Sequence, residues 1–167
     1  MSYNKAIYYG LTLKGAPYCF WSGGDLSDSS PAWSGSDYPP DNDIIFKNGL
    51  FCTGLVNLML RSLNIQCPQN PPWNGGTVAY WMKFKDKMII FDIKLIRRGD
   101  AIFRCYRDIN DQGHIAIALG GYDDPILQCF SWNIDTVLPG VNDDFNVKQS
   151  HCGWYYTHII RREDLWQ

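Results

Sequence analysis

The sequence predicts an α+β fold: N-terminal helices packed on an antiparallel β-sheet of about five strands. Three features predict it. Apolar residues recur at helical spacing before residue 86, they alternate with a period of two after residue 87, and the predicted strands are mostly joined by short turns. A chain of 167 residues lies within the usual size of one domain, so 1–167 is read as a single unit. Its parts are a loop-rich stretch over 1–45, helices over 46–86, and mainly strands over 87–167.

The elements follow in order. "NKAIYYGLTLKG" predicts a short helix closing at Gly15, and "WSGGDLSDSSPAWSGSDYPPDND" is a Gly/Ser/Asp/Pro-rich loop with aromatics interleaved. In "FCTGLVNLMLRSL", Leu55, Met59 and Ser62 fall on one stripe with Val56, Leu60 and Leu63 beside it, the pattern of a buried helix. "CPQNPPWNGG" ends that helix, and "TVAYWMKFKD" predicts a second, shorter one. Thereafter "KMIIFDI", "DAIFRCY", "HIAIALG", "ILQCFSW" and "GWYYTHII" read as strands, with a long connection over 133–152 before the last. The short turns predict a meander.

Composition excludes several function classes. Net charge is −2, and the Lys/Arg residues come in pairs rather than runs, which argues against charge-driven nucleic-acid binding. No uninterrupted apolar run approaches the length of a membrane span. "MSYNKAIYYGLTLKG" lacks the apolar stretch and cleavage site of a secretory signal, so a cytoplasmic or particle-associated location is expected. None of the six cysteines stands in a Cys-x-x-Cys or Cys/His cluster of zinc-site spacing, so no metal and no cofactor are expected.

Cys52 opens the apolar helix, and a buried helix has no need of a thiol in its first turn. Unpaired backbone N–H groups and the helix dipole favour thiolate there, and the N–H of Cys52 is placed to hold an oxyanion. A cysteine nucleophile requires a base. His114 opens the strand "HIAIALG" after the turn-forming Gly113, and alternation sets it on one face with Ala116 and Ala118. Those two alanines predict that the helix approaches this face closely. Gln128, mid-strand between apolar neighbours in "ILQCF", needs a hydrogen-bond partner, and the imidazole N–H of His114 would satisfy it. Gly54 leaves the approach to Cys52 uncluttered.

The blocks "GAPYCFWSGG … FCTGLVNLMLRSL … RRGDAIFRC … GHIAIALG … ILQCF" occur in one order over about 15–130. Together they resemble the NlpC family of papain-like cysteine peptidases. The resemblance implies a papain-like (NlpC-type) fold and cleavage of an amide through a thioester, usually in peptidoglycan stem peptides. It implies Cys52 as nucleophile, His114 as base and Gln128 as the orienting residue. Tyr18 matches the family's tyrosine near the nucleophile, with Trp21 and Thr53 as further substrate contacts, and Gly99-Asp100 matches its turn. The sequence departs from the family at Phe51, where Asp usually precedes the cysteine, at Thr53 for Ser, at Gln128 for the more frequent His, and in the long 22–45 loop. The chain is therefore read as a cysteine hydrolase acting on a peptide or peptidoglycan-like substrate. Its alternatives are an inactive binding or structural domain of the same fold, or a thiol-dependent acyltransferase.

Other residues carry weaker claims. Asp100 reads as a turn former, and Trp21, Trp33 and Trp73 as groove or core aromatics. His151 and Cys152 form a second thiol–imidazole candidate, but adjacent strand residues face opposite ways. Cys19, Cys67, Cys105 and Cys129 read as packing residues. The sequence does not set the oligomeric state.

Overall fold

Leu, Met and Val at helical spacing can stay in water only at high cost, and the fold buries them against one face of a sheet. The computed structural model describes residues 2–21, 41–131, 138–149 and 156–167. In chain order the described elements are α1 (Ser2–Thr12), α2 (Asn42–Asn48), α3 (Cys52–Arg61), α4 (Thr77–Phe84), β1 (Ile89–Ile90), β2 (Ala101–Arg104), β3 (His114–Ala118), β4 (Ile126–Phe130), β5 (Gly140–Asn142), β6 (His158–Ile160) and the one-turn α5 (Arg162–Leu165).

Among the described residues the sheet has six strands in the order β1-β6-β2-β3-β4-β5, and every pair is antiparallel. The sheet is thus one strand wider than expected. The extra strand is β5, inside what the sequence presents as a long connection. From β2 to β4 the path is the expected meander, which β5 extends, but β6 returns to lie between β1 and β2, pairing Ile159 with both Ile89 and Ile102. Of the predicted strand over 153–160, residues 153–155 lie outside the described residues, and of 156–160 the last three form a strand.

The two faces of the sheet carry separate apolar clusters. One joins Leu55, Val56, Leu58, Met59 and Leu60 of α3 to Ile115, Ile117, Leu127 and Cys129 of the sheet and to Ala6 and Ile7 of α1. The other face holds Ile102, Ala116, Ala118, Ile126 and Ile159 under Val147 and Tyr156. Burying each large aliphatic side chain contributes roughly 1.5–3 kcal/mol. α1 crosses very near the core at Gly10, where an added Cβ would stand 2.8 Å from both Leu127 Cδ2 and Met59 Sδ. α3 is further pinned by Asn57, whose Nδ2 donates to the Gly75 carbonyl (3.0 Å) and whose Oδ1 accepts from the Tyr80 hydroxyl (2.9 Å).

One expectation about packing is corrected. The two alanines of β3 predict a close helix approach on the His114 face, yet α3 packs on the Ile115/Ile117 face. Large branched side chains interlock with the Leu and Met knobs of α3 and bury more area than alanines offer. Cys52 and His114 therefore face a common cavity at the end of the sheet rather than packing across one of its faces.

Asp100 is the turn residue the sequence suggests, and it also anchors the C-terminal segment. Its carboxylate is fully buried and accepts from Arg161 Nη1 (2.6 Å), the Arg162 N–H (3.0 Å) and the Arg97 N–H (3.1 Å). It lines neither cavity described below. No helix of the described residues is long and apolar enough to cross a membrane.

Candidate active site

α3 begins at Cys52, with Phe51 as an extended N-cap that offers no side-chain hydrogen bond. The carboxylate that commonly precedes such a cysteine is thus replaced by an apolar ring. Neither the N-cap residue Phe51 nor the first turn of α3 carries an acidic side chain against the partial positive charge there. Cys52 itself is 8% exposed.

His114 is the first residue of β3, and Gly113 sets its direction. Gly113 has φ +80, and a Cβ there would overlap the Arg104 carbonyl oxygen. Only glycine fits both constraints. Gln128 lies opposite Ala116, on the same face of the sheet as His114. His114 Nε2 and Gln128 Oε1 are 3.1 Å apart. An amide oxygen only accepts, so Nε2 is the protonated nitrogen and Nδ1 carries the lone pair. The Tyr156 ring lies beside the imidazole, centroids 6.0 Å apart.

Burial pushes the His114 pKa down to about 4; the Gln128 hydrogen bond opposes this shift and the nearby Arg104 guanidinium adds to it. The imidazole is therefore neutral at physiological pH, the state a proton acceptor needs. Arg104 is paired with the Asp111 carboxylate, which also receives the Gly113 N–H at 3.3 Å. The same ion pair thus closes the β2–β3 turn and sits beside the histidine.

Cys52 and His114 line one cavity of about 340 Å³, together with Arg104 at the end of β2 and Cys129, Phe130 and Ser131 at the end of β4. Tyr18 belongs to the same wall. Burial, with smaller contributions from Cys52 and Cys129, holds its phenol in the neutral form. Of the other described cysteines, Cys67, Cys105 and Cys129 have thiols pushed up by burial, the opposite of activation. Cys129 donates to the Leu50 carbonyl at 3.2 Å.

A second cavity of about 550 Å³ continues from the first, sharing Tyr18, Phe20, Cys52 and Ile109. Trp21 forms its inner wall. Its centroid lies 5.2 Å from Phe51 and 5.3 Å from Trp73. Its ring presses on Gly76, where a Cβ would stand 2.9 Å from Cη2. Trp21 also has φ +61, an uncommon conformation for a bulky residue.

Five of the six residues singled out for the site thus converge: Cys52, His114 and Gln128 at the sheet end, with Tyr18 and Trp21 on the walls. Thr53 does not. It is fully buried, its hydroxyl has no hydrogen-bond partner among the described residues, and it lines neither cavity. The His151–Cys152 pair and Trp33 lie outside the described residues. No group of three or more His, Cys, Asp or Glu residues able to hold a metal occurs among the described residues.

No family model and no curated protein matches the sequence. Among solved structures, the fold is similar to that of a protein described as similar to lipoprotein, of the NLP/P60 family, from Staphylococcus aureus. The two share 16% identity at a TM-score of 0.50, over 93% of this chain and 39% of the other. The chain thus has the papain-like α+β architecture of that family and spans well under half the length of that protein. A likeness at this identity is one of fold.

Proposed function

We propose that the protein is a cysteine hydrolase that cleaves an amide bond through a thioester. Cys52 Sγ attacks the carbonyl carbon while its proton passes to His114 Nδ1. The backbone N–H of Cys52 holds the developing oxyanion at the helix start. The imidazolium then gives its proton to the departing amine. Water, deprotonated by the same imidazole, adds to the thioester, releasing the acid and restoring the thiol. Gln128 keeps Nδ1 as the basic nitrogen by accepting from Nε2–H.

The observation that carries this reading is the pairing of His114 Nε2 with an acceptor-only oxygen, at the rim of a cavity whose wall also holds Cys52. A neutral base with a fixed tautomer is what general-base attack by a thiol requires. Peptidoglycan stem peptides are the substrates that the sequence resemblance implies, and other peptides and acyl lipids share the susceptible carbonyl.

Incubating wild type and Cys52→Ala protein with stem peptides, a mixed peptide pool and acyl lipids tests the reading. Cleavage of an amide by wild type alone, with an acyl adduct trapped on Cys52 by mass spectrometry, is expected. Products equally abundant with Cys52→Ala would refute it. Transfer of the acyl group to an added amine in preference to water would indicate the acyltransferase instead.

A further inference from the structure

We infer that the larger cavity beside Cys52 is a specificity pocket for a neutral aromatic side chain of the substrate, not for the carboxylate-bearing residues of a cell-wall stem peptide. The inference rests on the hydrolase reading for the word substrate, but its physical content is a binding preference.

Charge is the first argument. No Asp, Glu, Lys or Arg of the described residues lines this cavity. A carboxylate entering it would lose water and meet no cation among the described residues, which disfavours it in an apolar site. The nearest cation on the adjoining wall, Arg104, is already engaged with Asp111. A stem peptide rich in acidic groups is thus poorly matched.

Shape and chemistry give the second. Trp21, Phe51 and Trp73 already meet one another in tilted and edge-to-face geometry at 5.2–5.3 Å. An aromatic ring entering beside them extends that arrangement and gains ring–ring attraction beyond its buried area. A linear alkyl chain gains the area alone. The size of about 550 Å³ lies within the range of small-molecule sites and leaves room for a ring and its neighbouring backbone.

Exposure gives the third. Trp73 is 57% exposed and Ile109 77% exposed, and Phe20 and Tyr106 on the same cavity are also exposed. Apolar side chains gathered around one cleft mark a surface that an apolar ligand covers.

The test is a binding measurement on Cys52→Ala protein, so that its outcome does not depend on turnover. Three probes are compared by tryptophan fluorescence and by NMR shift perturbation: N-acetyl-Phe-Gly-amide, N-acetyl-Glu-Gly-amide and decanamide. The aromatic probe is expected to bind at least tenfold tighter than the acidic one and tighter than decanamide. Trp73→Ala, at an exposed position where the fold is little affected, is expected to weaken the aromatic probe about fivefold and leave the acidic one unchanged. Aromatic binding by a protein whose wild type cleaves neither this probe nor any substrate of the hydrolase test above would refute the hydrolase and leave the pocket assignment standing. Equal or tighter binding of the acidic probe or of decanamide, or no effect of Trp73→Ala, would overturn the pocket assignment.

Discussion

His114 Nε2 donates to Gln128 Oε1 across 3.1 Å, and that bond leaves the lone pair of the ring on Nδ1. Exchanging the acceptor therefore alters the base without touching it. Gln128→Ala is expected to lower kcat by tens-fold, less than His114→Ala, because an orienting group contributes less than the base it holds. Gln128→Glu places a carboxylate on Nε2 and raises the imidazole pKa, moving the acid limb of kcat/KM to higher pH. A steady-state pH profile of each variant checks both outcomes.

In wild type, the acid limb of kcat/KM is expected near pH 4, where burial places the His114 pKa. Stability shares the cause. The unfolded histidine, near 6.5, binds a proton that the folded one refuses until about pH 4. The unfolded chain thus holds more protons in that window, and stability falls as pH drops from about 6.5 to about 4. The loss is on the order of 3 kcal/mol. Urea denaturation at several pH values, with His114→Gln as the comparison lacking this slope, measures it.

Asp100 acts through the fold. Asp100→Asn is expected to cost about 3 kcal/mol, since it leaves Arg161 and the Arg162 N–H facing a weakened acceptor in a buried position. Turnover per folded molecule should change less than twofold. Denaturant unfolding beside active-site titration separates the two quantities.

Gly113→Ala is expected to damage both stability and catalysis. The added Cβ overlaps the Arg104 carbonyl and forces a left-handed alanine, costing about 1–3 kcal/mol. Because His114 is the next residue, kcat should fall at least tenfold even where the protein is fully folded. Thermal unfolding and single-turnover kinetics read the two effects.

Much of this site is legible in the sequence because it depends on local pattern. The apolar stripe of α3 fixes where Cys52 stands in its helix, and alternation in "ILQCF" requires a partner for Gln128. The hairpin turn then makes β4 the neighbour of β3, which brings Gln128 to His114's face. What escapes is decided at long range. β5 is three residues long, too short to show a period, and β6, legible as a strand, finds its place only by pairing Ile159 with Ile89 and Ile102. α2 and α5 are short helices at loop ends, held by tertiary contacts rather than by an apolar stripe. Tyr156 reaches the imidazole from a segment some forty residues away, and Arg104 meets Asp111 across a turn that gives no sign of an ion pair. Arg104 is the lone basic residue of the predicted strand "DAIFRCY", and that is the one local clue to it. Thr53 shows the converse error: the residue after the nucleophile is conspicuous in the sequence and turned into the core by the helix.

The central claim is that His114 activates Cys52, and the rate of iodoacetamide alkylation at each cysteine at pH 6 tests it most directly. Cys19 is exposed whereas Cys52 is 8% exposed, so accessibility alone favours Cys19. The account predicts that Cys52 is nonetheless alkylated first, that the advantage disappears in His114→Ala, and that in wild type it persists down to about pH 4. Labelling of Cys52 that is slower than Cys19 and indifferent to His114→Ala would contradict it.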